Sequence, residues 1–184
     1  MAIIGILQYP DPRLRRIGEQ LSPEQIKSAE IQKVVDDMFE TLYASDNCAA
    51  LAATQLDLAE SYSITVLDLN NGSEGAPQPL CLINPRIVSA SGVQCEREAC
   101  MSVMPDFNVY ANVERADHVV VEALDRHGNP IKLEASGYEA KAYQHEIDHL
   151  NGIVYLDRLS ELKRQMLVKK IQKAHKVLEN RAEK

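Results

Sequence analysis

The sequence predicts an α+β protein, with a block of short strands in the middle of the chain and helices near its start and towards its end. Three patterns carry that prediction. Ile31, Val34, Val35, Met38 and Leu42 recur at i, i+3, i+4, i+7 and i+11, the stripe of a helix that buries one face. Between residues 63 and 135, apolar runs are separated by clusters of Asn, Gly and Pro, as strands are by turns. Leu167, Ile171, Ala174 and Leu178 mark an amphipathic helix near the C-terminus.

Taken in order, Ile3 to Leu7 is a short apolar run that Tyr9-Pro10-Asp11-Pro12 ends, with Asp11 placed to cap a turn and Pro12 in first position. A long helix is expected within Ser22–Ala44, its charged face (Lys33, Asp36, Asp37, Glu40) solvated. The small residues from Cys48 to Gln55 show no long amphipathic pattern. Strands are expected at Ser63–Leu69, Leu80–Ile83, Arg86–Ala90 and His118–Leu124, and Asn70–Pro79 reads as a loop. Arg126-His127-Gly128-Asn129 reads as a hairpin turn into Ile131–Ala135, which makes His127 a turn residue and His118 a strand-entry residue. A helix then spans the residues between Ser136-Gly137 and Asn151-Gly152, Ile153–Leu156 is expected to be extended, and Ser160 stands at the cap of the terminal helix.

At 184 residues the chain reads as one domain, residues 1–184, long enough to bury a core. Its 45% hydrophobic and 26% charged residues are ordinary for a globular protein. No segment has the length of a membrane span or the basic start of a signal peptide, so a cytoplasmic location is expected. In that setting Cys48, Cys81, Cys95 and Cys100 are expected as reduced thiols or a metal ligand, not as disulfides. The net charge of −7 argues against a surface built for nucleic acid. From Asp157 to Lys184, however, nine Lys/Arg face four Asp/Glu, a local +5 that leaves −12 on the remainder.

The chemistry centres on Gln144-His145-Glu146-Ile147-Asp148-His149-Leu150. On a helix His145 and His149 stack on one face, where two imidazoles can grip one metal ion, with the Glu146 carboxylate beside them to move protons. A catalytic site of this kind needs a third protein ligand and one open position. Six residues beyond His149 stands Tyr155, not the histidine of the metzincin pattern, while Glu161 and Glu179 read as surface residues. A cysteine remains, and donor chemistry alone leaves Cys81, Cys95 and Cys100 open.

Three ordered motifs narrow the choice. Cys48-Ala49-Ala50-Leu51-Ala52-Ala53-Thr54-Gln55, Glu98-Ala99-Cys100-Met101-Ser102 and Gln144 through Leu150 resemble the three motifs of the peptide deformylases. The resemblance extends over nearly the full length and includes Tyr9 to Arg15 and Ile83-Asn84-Pro85. It implies small mixed or antiparallel sheets around the His-Glu-x-x-His helix, and a protein-biosynthesis hydrolase that removes the formyl group from formylmethionyl nascent peptides. It further implies Cys100, His145 and His149 as metal ligands, with Fe2+ the expected ion and Zn2+, Ni2+ or Co2+ as substitutes. Glu146 becomes the general base and acid, while the Gln55 amide and the Met101 backbone N–H hold the oxyanion. Ala49, Ala50, Leu51, Glu98, Tyr138 and Ala142 become the substrate pocket. Lys141 stands on a wall that is largely apolar in the family.

The chain departs from the family where Cys48, Ala50 and Ala99 replace glycines, positions that often need positive φ or a close backbone approach. Between Cys100 and Arg115 the chain is also a few residues longer than common members of the family it resembles, with Met104 to Asn112 the divergent part. These departures leave one rival, a deformylase-like protein with altered specificity or little turnover that binds formyl peptides or ribosomes; the other rival is a metallopeptidase with a non-cysteine third ligand. The basic terminal helix, with Lys169, Lys173 and Lys176 opposite its apolar stripe, is the expected ribosome contact.

Overall fold

The computed structural model describes residues 2–72 and 75–182; Ser73 and Glu74 of the expected loop, and Glu183 and Lys184 of the basic segment, lie outside the described residues. Asp11 caps the 3-10 turn Pro12–Arg15, its carboxylate accepting the Arg13 N–H at 2.8 Å. The helix expected within Ser22–Ala44 is two helices, α1 (Pro23–Ile26) and α2 (Ala29–Ala44). Two serines explain the division. Ser22 and Ser28 both have extended backbone and both accept an N–H three residues on, so each starts its own helix. The outer face of α2 is not uniformly solvated. Asp37 is buried because the N-terminal segment crosses it, and its carboxylate accepts the Ala2 N–H at 2.8 Å.

The strands are β1 (Ala50–Ala52), β2 (Ile64–Leu67), β3 (Leu80–Ser91), β4 (Gln94–Glu98), β5 (Ala111–Arg115), β6 (His118–Leu124) and β7 (Pro130–Ser136). Five form one antiparallel sheet in the order β1-β2-β3-β6-β7, and β4 and β5 form a separate antiparallel pair. The two strands expected at Leu80–Ile83 and Arg86–Ala90 are one. Asn84, at φ 52°, and Pro85 kink β3 and shift its register against β6 without ending it. The Asn84 amide turns inward to bond both the N–H and the carbonyl of Leu21, at 2.9 and 2.8 Å.

Helix α3 (Gly137–Leu150) lies at the centre. Every residue from Tyr143 to Leu150 is buried, so packing surrounds this half of the helix on all sides. It ends as expected. Gly152, at φ 71°, donates to the His149 carbonyl at 3.0 Å, and a Cβ there would stand 2.6 Å from the Arg15 carbonyl oxygen. The segment after it is not extended throughout: Tyr155–Arg158 is a 3-10 turn, held by the Asp157 carboxylate on the Val154 N–H at 3.0 Å.

Helix α4 (Glu161–Ala182) follows Ser160. Ile171 and Ala174 are buried and Leu167 partly so, whereas Leu178 is exposed and stands at the rim of the cavity described below. One apolar cluster packs α2 on β2 and β3, a second sets α4 against Val109 and Tyr155, and a third joins α3 to β6 and β7. No described helix is long and apolar enough to cross a membrane.

Candidate metal centre

The α3 backbone brings His145 and His149 together with Nε2 atoms 3.2 Å apart, and Cys100, just beyond β4, places Sγ 3.2 Å from His149 Nε2. All three donor atoms lie within 4.8 Å of one another. Bonds of about 2.0–2.3 Å to a tetrahedral ion set such atoms roughly 3.3–3.6 Å apart, so the two 3.2 Å separations match the span of one divalent ion. Cys81 is buried in the cluster under α2 and Cys95 is exposed, which removes both from the ligand set. The centre is buried. Glu146 shares the cavity with its Oε2 unpartnered among the described residues, and burial pushes its carboxyl up to about 7. Burial, with His145 beside it, holds His149 well below the usual imidazole range, in the neutral form that ligation needs.

A layer of charge behind the donors was not expected from the sequence. His145 Nδ1 lies 2.9 Å from Glu98 Oε2, which fixes its ring with Nε2 towards the centre. Glu98 in turn accepts two bonds from Arg115, at 2.7 and 3.0 Å. Arg115 also bonds Asp148, whose carboxylate accepts from Arg158 as well. Burial alone would raise the Glu98 pKa, but hydrogen bonds from His145 and Arg115 outweigh it and leave it at about 2. The available signal was Asp148, a carboxylate placed to share the buried side of α3 one turn after His145. Gln144, on α3, is spent on structure: its amide bonds both the N–H and the carbonyl of Ala116, between β5 and β6, at 3.0 and 2.9 Å. Tyr155 is no ligand either; its ring stacks beside His145 with centroids 6.4 Å apart.

A cavity of about 940 Å³ opens over the centre. It is lined by Ala49, Ala50, Gln55, Glu98, Met101, Tyr138 and Ala142, together with Cys100, His145 and Glu146. Leu51 does not reach it. On β1 successive side chains point to opposite faces, so Ala50 meets the cavity and Leu51 is fully buried in the core. Glu98 is in the wall, but both its oxygens are committed to Arg115 and His145. Gln55 is buried, with Oε1 accepting the Ala52 N–H at 2.9 Å and Nε2 turned to Ser102 Oγ at 3.1 Å and Cys100 Sγ at 3.4 Å.

Met104, Asp106 and Phe107, from the stretch Met104–Asn112, also line the cavity, which sequence patterning did not foretell. Cys48, Ala50 and Ala99 carry no strained backbone: among the described residues, the non-glycine positions with positive φ are Asn47, Asn84, Met104 and Asn108. Burial pushes the Cys48 thiol up to about 12, so it stays protonated against the Ala50 carbonyl at 3.5 Å.

Known proteins resemble this chain in sequence and fold. The family model described as polypeptide deformylase matches residues 3–165. Peptide deformylase 1 of Coxiella burnetii is 49% identical over 168 residues, which cover 91% of this chain and 94% of that protein. Peptide deformylase 2 of Vibrio cholerae is 48% identical, covering 94% and 96%. A crystal structure of a peptide deformylase from Legionella pneumophila superposes with a TM-score of 0.83 at 35% identity, covering 96% of this chain and 98% of that one. With a buried Cys/His/His set suited to a divalent ion and a family match over most of its length, the chain belongs to the polypeptide deformylase family.

Proposed function

We propose that the chain is a single catalytic domain that removes the formyl group from N-formylmethionyl peptides, with one divalent ion held by Cys100, His145 and His149. The observation that carries this reading is the donor cluster with the unpartnered Glu146 oxygen in the same cavity. Iron(II) is the ion we favour, and Ni2+, Co2+ and Zn2+ suit the same thiolate and imidazole donors. When bound, the ion supplies Lewis acidity, polarising the formyl oxygen and bringing the pKa of a water towards neutrality.

Glu146 takes the proton of the attacking water and delivers it to the methionine nitrogen as the C–N bond breaks, so formate and a free amine result. The Gln55 amide and the Met101 N–H donate to the oxyanion. Ala52 supports the first assignment, because its N–H holds the Gln55 oxygen and leaves the NH2 end facing the centre. Ala49, Ala50, Tyr138, Ala142 and the stem of Lys141 form the wall for the methionine side chain.

The test is protein purified without oxygen, loaded with iron or nickel, and assayed for formate release from formyl-Met-Ala-Ser. One ion per chain is expected, and none in Cys100→Ala, His145→Ala or His149→Ala; full metal content in all three variants would refute the ligand set. Lys169, Lys173 and Lys176 are exposed on α4, which supports a salt-sensitive contact of this helix with ribosomal RNA phosphate. Co-sedimentation with ribosomes, compared between the native protein and a variant with all three lysines changed to glutamate, checks it.

A further inference from the structure

We propose that the outer wall of the cavity is a subsite for an acidic residue of the peptide, downstream of the formylated methionine, with Arg97 and Lys141 as its specificity-determining cations. This rests on the deformylase reading and adds which peptides this chain favours. Both residues line the cavity. Lys141 stands one turn before His145, and its ammonium donates to the Arg97 carbonyl at 3.0 Å while lying 5.0 Å from the Tyr138 ring centre. The stem therefore runs along the wall and the charge sits at the mouth.

Arg97 lies over Tyr110, with its guanidinium carbon 3.5 Å from the ring centre. Stacking of this kind orients the guanidinium and leaves its N–H edge available to a carboxylate. Lys170 of α4 adds a third charge, 5.8 Å from the same ring and donating to the Asn108 carbonyl at 2.7 Å. Among the described residues, none of these three cations forms an ion pair, although Arg13, Arg15, Arg86, Arg115, Arg126, Arg158 and Lys33 all do. Asp46 and Asp106 also line the cavity but are exposed on other loops, and neither closes an ion pair with Arg97 or Lys141. A volume of about 940 Å³ is enough to enclose a ligand larger than one side chain, so residues beyond the methionine come within reach of this wall.

The experiment compares kcat/KM for formyl-Met peptides carrying Asp, Ser or Lys at the second or third position, at about 0.01 M and about 1 M ionic strength. An exposed pair of this kind is expected to favour Asp over Lys by about two- to fivefold at low salt. The preference should vanish at high salt, fall away in Arg97→Gln, and invert in Lys141→Glu. Calorimetric binding of the products Met-Ala-Asp and Met-Ala-Lys to the metal-loaded protein should give the same order without any turnover. That order in a protein which hydrolyses no formyl peptide would support the subsite and remove the deformylase reading. Equal values for Asp and Lys peptides in an active enzyme, or a preference that survives both substitutions, would overturn the subsite.

Discussion

Arg115→Met tests whether the charge layer behind the donors holds the centre in place. The substitution keeps an unbranched stem in place of a side chain that is 1% exposed, and removes its guanidinium and charge. Asp148 keeps Arg158, but Glu98 loses both of its bonds to a cation and retains only His145. Leaving one member of a buried pair uncompensated costs about 3–5 kcal/mol, a large share of the roughly 5–15 kcal/mol that holds a domain folded.

The pH dependence carries a sign. In the native protein Glu98 sits at about 2, below its unfolded value, so its contribution is present above the unfolded pKa and lost only as pH falls through about 2. In the variant, burial without Arg115 moves the folded pKa above the unfolded value of about 4.3, so stability is greatest in acid and declines as pH rises through the folded pKa. The difference between the two proteins should therefore narrow from neutral pH to about pH 5. Urea unfolding at both pH values measures it, and chelator competition should show metal held about 10–100-fold more weakly because His145 loses its fixed partner. A loss under about 1 kcal/mol with unchanged metal affinity would refute the reasoning, since that is the scale of an exposed pair.

Glu146→Ala should keep its metal, as Glu146 is outside the donor cluster, and lose about 10²–10⁴-fold in kcat; a near-normal rate would remove it from the mechanism. Gly152→Ala should cost about 1–3 kcal/mol of stability and so lower the urea midpoint, because φ is 71° and the new Cβ meets the Arg15 carbonyl oxygen at 2.6 Å. An unchanged midpoint would mean that the Arg15 segment yields freely. Ala50→Gly should raise kcat/KM for formyl-Met peptides if the methyl crowds the substrate backbone, since Ala50 lines the cavity without a strained φ. Equal or lower kcat/KM would assign the methyl to packing.

The elements that sequence alone determined are those whose causes lie within a few residues. Asp11 caps the turn at Pro12, Gly152 stops α3, and the stripe of Ile31, Val35, Met38 and Leu42 is buried, because caps and helical periodicity act between residues up to four apart. The spacing of His145 and His149 is of the same kind. The third donor was a different matter. Donor chemistry left three cysteines open and only family resemblance pointed to Cys100, because a thiol's sequence position says nothing about which helix it will face.

Tertiary structure alone decided the rest of the centre. Glu98, Arg115, Asp148 and Arg158 come from β4, β5, α3 and the turn before α4, and nothing local in any of those segments encodes their meeting. Asp37 and Leu51 fell on unexpected faces for the same reason, one covered by the N-terminal segment and the other turned to the core by the pleat of β1. Local pattern sets which way a side chain leaves its own backbone. What it then meets depends on segments distant in sequence, and a buried charge stays ionised at little cost only where packing delivers its counter-charge.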